Sequence, residues 1–259
     1  MNKRIAIVTG VSRLKGIGKA ICIELARQGI DIFFTYWLNY DKEMPWQTAD
    51  NEPDLIQAEI LKLGVRCEKM ELNFLEKRSI QALMQAVEKK WGTPTILVNN
   101  ATYSTQTNIE NITAEELDKH YFINLKIPIL LISEFVKRFE GQKNGRIVNL
   151  SSGQSLSFMS DEIAYAATKA AIENLTRTLS QELAKKDITI NAVNPGLTDT
   201  DWLDNAQKEL FIKRFPMGRL GQPTDAAKLI AFLVSENAAW VTGQTIHSEG
   251  GFIREKYDF

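Results

Sequence analysis

Cysteine and histidine are scarce in this chain. Among 259 residues there are two of each: Cys22 and Cys67, His120 and His247. One cysteine falls in a helical pattern and the other in a strand pattern, so both read as packed thiols of a reduced interior. No His, Cys, Asp or Glu group has metal-ligand spacing, so no metal is expected and both histidines read as structural. An excess of one charge is also lacking. The 31 Lys and Arg are met by 32 Asp and Glu, a net charge of −1. Without a basic tract or interleaved Arg and aromatic residues, nucleic acid is not an expected partner. Long apolar runs are missing too. The longest, residues 127–132, is far too short to span a bilayer. The opening "MNKRIAIVTG" enters a strand pattern at once, which leaves no space for the apolar region of a signal peptide. The expectation is a soluble, cytoplasmic protein without membrane contact.

What is present is ordinary globular material, 44% apolar and 24% charged, of a length that suits one doubly wound domain. β-Branched runs at 4–9, 30–37, 65–72, 95–100, 145–152, 188–194 and 244–249 read as strands. Helical patterns lie near 17–28, 53–63, 76–91, 113–139, 162–186 and 224–236. Thr113 with Glu116 makes a capping box, and Pro223-Thr224-Asp225 a similar helix entry. Such alternation predicts an α/β fold: a single-domain, Rossmann-type doubly wound parallel sheet of about seven strands with helices on both faces, spanning 1–259. One connection, residues 38–54, is long and polar. It is either a solvated insertion or a cover for one end of a ligand.

The stretch "VTGVSRLKGIG", residues 8–18, joins the first strand to the first helix. Gly10 follows the strand, and Gly16 and Gly18 flank Ile17 where the helix opens. Glycines there let a pyrophosphate approach the backbone, and the helix N-terminus supplies free N–H groups and partial positive charge. A tight turn without a ligand would use the same residues. Dinucleotide sites for NAD place an acid at the end of the second strand. Here that strand closes Thr35-Tyr36-Trp37-Leu38-Asn39, with no acid before Asp41, while Arg13 and Lys15 add positive charge. This favours NADP(H) over NAD(H), since a 2′-phosphate seeks cations and is repelled by a carboxylate. The plainer alternative is two solvated loop charges.

Tyr165 and Lys169, four apart at the start of a long helical pattern, share a face. Ser152 closes the strand before it, at the edge where parallel sheets host ligands. Reduction of a ketone by hydride needs a proton donor for the forming alkoxide. A phenol near pKa 10 is poorly matched to neutral pH, and a neighbouring ammonium would lower that value. Ser152 would hydrogen-bond the substrate oxygen. Taken alone, Tyr165 and Lys169 would equally be an ordinary half-exposed helix pair.

Eight ordered segments widen the basis: "TGVSRLKGIG", "ILVNNA" (96–101), "FINL" (122–125), "GRIVNLSS", "YAATK" (165–169), "NAVNPGLTDT" (191–200), "PMGRLGQPTDAA" (216–227) and "VTGQTIHSEGG" (241–251). Together they resemble the short-chain dehydrogenase/reductase family over almost the whole chain, most closely its 3-oxoacyl-(acyl-carrier-protein) reductase group. The resemblance implies Tyr165 as acid–base residue, Lys169 as its partner and ribose ligand, and Ser152 as the substrate-orienting hydroxyl. It implies that Asn124 holds a water linking Lys169 to solvent. Asn99 and Ala101 would line the ribose and nicotinamide, and Asn73 and Phe74 the adenine. Pro195, Gly196, Thr198 and Thr200 would bind the nicotinamide amide and the phosphates, with Ser12, Arg13, Lys15, Tyr36 and Trp37 completing the cofactor site. Residues 199–220 would be a substrate lid, where Trp202, Leu203, Leu210, Phe211 and Phe215 either line an apolar pocket or pack an amphipathic helix. A homotetramer, a dimer of dimers, is implied as well.

The chain departs from the family pattern at several places. Leu14 and Lys15 lengthen the glycine loop by two residues. Thr102 and Asn73 stand where glycine and aspartate are common, and Glu249 where aspartate usually precedes the last two glycines. The expected activity is NADP-dependent reduction of a small or carrier-bound ketone, a 3-oxoacyl thioester first. The alternatives are an NAD(P)-dependent dehydrogenase of a sugar, polyol or other secondary alcohol, and a dinucleotide-sensing protein without turnover.

Overall fold

The computed structural model describes residues 3–44, 46 and 48–254. Its centre is a seven-stranded, wholly parallel sheet: β1 (Ile5–Val8), β2 (Asp31–Tyr36), β3 (Cys67–Glu71), β4 (Ile96–Asn99), β5 (Gly145–Leu150), β6 (Ile188–Asn194) and β7 (Thr245–His247), in the order β3-β2-β1-β4-β5-β6-β7. All seven expected strands are present, each end within two residues of its pattern.

Strand alternation sends successive side chains to opposite faces, and helices cover both. Ala6, Val8, Ile32, Phe34, Val98 and Val193 pack with α1 (Ile17–Arg27), α3 (Glu52–Leu61) and α9 (Pro223–Val234). Ile5, Ile7, Phe33, Leu97, Ile147 and Ile190 meet α4 (Ser79–Trp91), α6 (Ile127–Arg138) and α7 (Ile163–Ala184). Each such buried large side chain contributes roughly 1.5–3 kcal/mol. Among the described residues, no helix is long and apolar enough to cross a membrane.

Two expectations change. The pattern at 113–139 is one helix in the sequence but three pieces in the fold: α5 (Ala114–Tyr121), a π-turn at Phe122–Lys126, and α6. Pro128, in the first turn of α6, has no N–H for the Asn124 carbonyl four residues back. The Ile127 N–H instead reaches back five residues to the Phe122 carbonyl, the π register. The 38–54 connection is partly folded, holding α2 (Leu38–Glu43) and burying Asp41 and Thr48. Pro45 and Gln47 lie outside the described residues.

The strand order reverses between β1 and β4. Loops leaving the C-terminal ends of those two strands diverge, and the crevice between them is where open α/β sheets bind ligands. Gly10 and Ala101 meet at that point. Gly10 has φ +72°, and a Cβ there would stand 2.6 Å from the Ala101 Cα.

Candidate active site

Ser152, Tyr165 and Lys169 come together at the C-terminal end of β5. Tyr165 and Lys169 leave the first two turns of α7 on one face, and Lys169 is buried beneath the sheet edge. The Ser152 hydroxyl lies on the Tyr165 phenol's side of the site and favours the ionised phenol. Lys169 Nζ donates to the Leu150 carbonyl at 2.9 Å and lies 5.4 Å from the centre of the Tyr165 ring. Burial dominates both ionisations. It pushes the Tyr165 phenol well up, opposed by Ser152 and reinforced by Glu162 and Tyr40. It brings the Lys169 ammonium down to about 8. Desolvation of the phenolate, and not the ammonium's pull expected from the spacing, sets the direction of the phenol's shift.

Asn124 sits in the π-turn facing this pair. Its Nδ2 donates to the Tyr103 carbonyl at 2.8 Å and Thr168 Oγ1 at 3.2 Å, and its Oδ1 accepts from the Tyr103 N–H at 2.7 Å and Thr102 Oγ1 at 3.1 Å. The side chain therefore holds residues 102–103 against α7. The Asn124 backbone carbonyl receives no N–H from Pro128.

The crevice suits a dinucleotide. Helix α1 begins at Gly16 with no side-chain cap and no acid in its first turn, so the N–H groups around Ile17 are open to an anion. Gly18 packs against the turn, where a Cβ would meet the Gly10 carbonyl at 2.7 Å. Asn99 is buried, donates to Asn149 Oδ1 at 2.8 Å, and keeps its own Oδ1 buried with no partner in the protein. That orphaned acceptor fits a ribose hydroxyl. Asn100 instead ties β4 to β1 by donating to the carbonyls of Thr9 and Gly10, both at 2.8 Å.

At the far end of the crevice, Ser12 Oγ accepts from the Trp37 N–H at 3.4 Å, and Ser12 favours the ionised Asp41 carboxylate. Tyr36 is half-buried beside Phe34. Asn73 Oδ1 accepts from the Leu75 N–H at 2.9 Å, and the Phe74 ring is buried in the core, which leaves its backbone for a ligand. Arg13 lies 4.4 Å over the Trp46 ring and donates to the Thr200 carbonyl. Lys15 is paired with Asp201 at 2.6 Å. The 38–54 segment lines the crevice: Glu52 accepts from the Leu14 N–H at 2.6 Å, and Tyr40 Oη from the Ser104 N–H at 3.2 Å.

Pro195 and Gly196 turn the chain off β6. Thr198 is buried, with its hydroxyl on the carbonyls of Pro195 and Gly196. Beyond Thr200, Leu203 and Phe215 bury themselves with Leu220, Leu197, Phe211 and Phe252 in a small separate cluster, while Leu210 on α8 (Asn205–Ile212) and Trp202 stay exposed. Leu203 is thus packed, while Phe215 also lines a cavity with Leu197, Met217 and Glu249.

Sequence reasoning missed Asp41, Tyr40 and Glu162. Burial raises the carboxyl pKa of both Asp41 and Glu162, and pushes the Tyr40 phenol up to about 12. Trp46, five residues beyond Asp41 and donating to it at 3.1 Å, was the one available hint.

Comparison with known proteins agrees with this geometry. A family model described as enoyl-(acyl carrier protein) reductase matches residues 10–253. An uncharacterized oxidoreductase, YjdA of Bacillus subtilis (strain 168), is 46% identical over 97% of this chain and 98% of its own. The 3-oxoacyl-[acyl-carrier-protein] reductase FabG of Staphylococcus aureus (strain Mu50 / ATCC 700699) is 34% identical over 95% and 96%. A solved short-chain dehydrogenase/reductase from Serratia marcescens superposes with a TM-score of 0.84 at 25% identity, over 96% and 97%. With its motifs, fold and relatives in agreement, this chain belongs to the short-chain dehydrogenase/reductase family of NAD(P)-using oxidoreductases.

Proposed function

We propose that the chain is an NADP(H)-dependent reductase that converts a ketone to a secondary alcohol, a 3-oxoacyl thioester being the favoured substrate. The observation that carries this reading is the convergence of Ser152, Tyr165 and a buried Lys169, whose Nζ lies 5.4 Å from the Tyr165 ring, at the C-terminal edge of the sheet. When bound, a reduced nicotinamide would supply hydride to the carbonyl carbon. Tyr165, kept protonated by burial, gives its proton to the carbonyl oxygen as charge develops there, while Ser152 donates a hydrogen bond to the same atom. Lys169 remains charged at neutral pH and stabilises the phenolate that results. The Asn124 carbonyl holds the water through which Lys169 meets solvent.

Pyrophosphate would rest on Gly10, Ser12, Gly16, Ile17 and Gly18, and the riboses and nicotinamide on Asn99, Ala101, Tyr165 and Lys169. Pro195, Gly196, Thr198 and Thr200 would hold the nicotinamide amide and the phosphates. Tyr36, Trp37, Asn73 and the Phe74 backbone would take the adenosine, with Arg13 and Lys15 toward a 2′-phosphate. The 34% identity to FabG supports the acyl substrate, and residues 199–220 would cover it as a lid. Exposed Leu117, Tyr121, Ile129 and Leu130 on α5 and α6 support a homotetramer.

A second reading, oxidation of a sugar or polyol, draws support from the polar wall of Thr102, Tyr103, Ser104 and Thr105 beside Tyr165, with Glu116 and Glu162 behind it. Nicotinamide absorbance separates the readings. Oxidation of NADPH on addition of acetoacetyl-CoA supports the first. Turnover only with a sugar or alcohol supports the second. Saturable dinucleotide binding without any turnover would overturn both.

A further inference from the structure

Glu249 has no part in the proton transfer above, yet the structure gives it several partners. The chain turns back at Gly250 and Gly251 so that Arg254 grips it, with Nη2 2.5 and 2.6 Å from the two carboxylate oxygens. Glu249 Oε1 also accepts from Asn194 Nδ2 at 2.7 Å. Asn194 Oδ1 in turn accepts from the Gly196 N–H at 2.9 Å, so the carboxylate braces the Pro195–Gly196 turn. On its other side, Arg254 Nε donates to Ser157 Oγ at 2.6 Å. Ser157 ends the loop that leaves Ser152, and its N–H folds back onto the Gly153 carbonyl at 3.0 Å. Glu249 lies against that loop as well, for a Cβ on Gly153 would stand 3.3 Å from Oε1. The 199–220 segment joins through Arg214. Its carbonyl accepts from the Ile253 N–H at 2.8 Å, its Nε donates to the Ile253 carbonyl at 3.1 Å, and its guanidinium lies 5.1 Å from the Phe252 ring.

We propose that Glu249 and Arg254 are positioning residues: together they clamp the Ser152 loop to the Pro195–Gly196 turn and fix the distance between the substrate-orienting hydroxyl and the nicotinamide-binding turn. The proposal rests on the active-site reading above. It accounts for a glutamate at 249. Aspartate is one carbon–carbon bond shorter, about 1.5 Å, and would lose either Asn194 or Arg254. The glutamate side chain is 11% exposed, so the contact from Arg254 Nη2 is charge-assisted and largely screened from water. The Nε–Ser157 bond carries that contact to the loop that leaves Ser152.

The test uses the full chain and four variants: Arg254→Ala, Arg254→Lys, Ser157→Ala and the Arg254→Ala/Ser157→Ala double. Amide hydrogen exchange without any ligand should rise about tenfold or more in residues 153–158 and 195–198 of Arg254→Ala, with β1, β4, β5 and α7 as in the parent. In the reductase assay kcat should fall about tenfold or more while the NADPH Kd moves less than about threefold. Arg254→Lys, which keeps the charge but lacks a second nitrogen for Ser157, should recover part of this, and added guanidinium ion should restore Arg254→Ala. The double variant should lose no more than Arg254→Ala alone, because both changes cut one link. Glu249→Gln/Arg254→Met removes both charges together and serves if Arg254→Ala leaves too unstable a protein. Parent-like exchange in both loops overturns the clamp, and so does an even rise through the whole sheet with no rescue. If the parent reduces no ketone, the proposed activity fails, and the exchange measurement still decides whether the clamp exists.

Discussion

Lys15 Nζ stands 2.6 Å from Asp201 Oδ2, joining the lengthened glycine loop to the start of the 199–220 segment across the mouth of the crevice. Asp201 holds a left-handed backbone, φ +64°, and also meets Lys208 at 3.5 Å. Arg13 is engaged too, with the Thr200 carbonyl and the Trp46 ring. The two cations proposed for a 2′-phosphate therefore have protein partners that a phosphate must outbid. Lys15 and Asp201 are 70% and 36% exposed, so their pair is worth between about 0 and 1 kcal/mol, and a phosphate can displace it.

Arg13→Ala should accordingly weaken NADPH about tenfold and NADH no more than about twofold, because only one of them carries the extra phosphate. Lys15→Ala should have a smaller effect that fades with added salt, since the lysine is exposed. Fluorescence titration with both dinucleotides measures each ratio. An unchanged preference in Arg13→Ala would shift phosphate recognition to the 38–54 segment.

Tyr165→Phe removes the proton donor and leaves the ring, and so tests the assignment of the acid. Turnover should drop to background, at least about a thousandfold, while NADPH binds within about threefold of the parent. Calorimetric titration alongside the rate assay reads both. Equal loss of binding and turnover would make Tyr165 a structural residue.

The sheet was legible because its signal is local. Ile5 and Ile7 face one side of β1 and Ala6 and Val8 the other, and short apolar runs between turn residues report that directly. The spacing of Tyr165 and Lys169 was legible for the same reason, since one helix fixes it. The energetic balance between them was not. Whether an ammonium lowers a phenol's pKa depends on how deeply both are buried, and walls from β5, residues 102–105 and α2 decide that. Asp41 was passed over because its burial is made by Ser12, 29 residues earlier, and by Trp46 beyond the end of α2. The π-turn had a visible cause in Pro128. A proline in the first turn of a helix is ordinary, however, and only the five-residue step from Ile127 to Phe122 shows that a helix preceded it.

Burial of Lys169 makes a pH-dependent claim about stability. Its pKa falls from 10.5 to about 8 on folding. Between those values the unfolded chain holds a proton that the native state has lost, so stability rises with pH across that window. Below pH 8 the native state bears the full cost of an enclosed ammonium, on the order of 3 kcal/mol. Lys169→Met keeps the length of the side chain and removes the charge, but deprives the Leu150 carbonyl of its donor, which costs about 1 kcal/mol. The variant should be inactive yet more stable than the parent at pH 7, by about 1–2 kcal/mol, and that advantage should shrink steadily from pH 8 to pH 10.5. Urea unfolding at pH 7, 9 and 10.5 gives the comparison. A parent more stable at pH 7, or a difference that does not change with pH, would mean that the ammonium is charged in the folded protein without a desolvation cost.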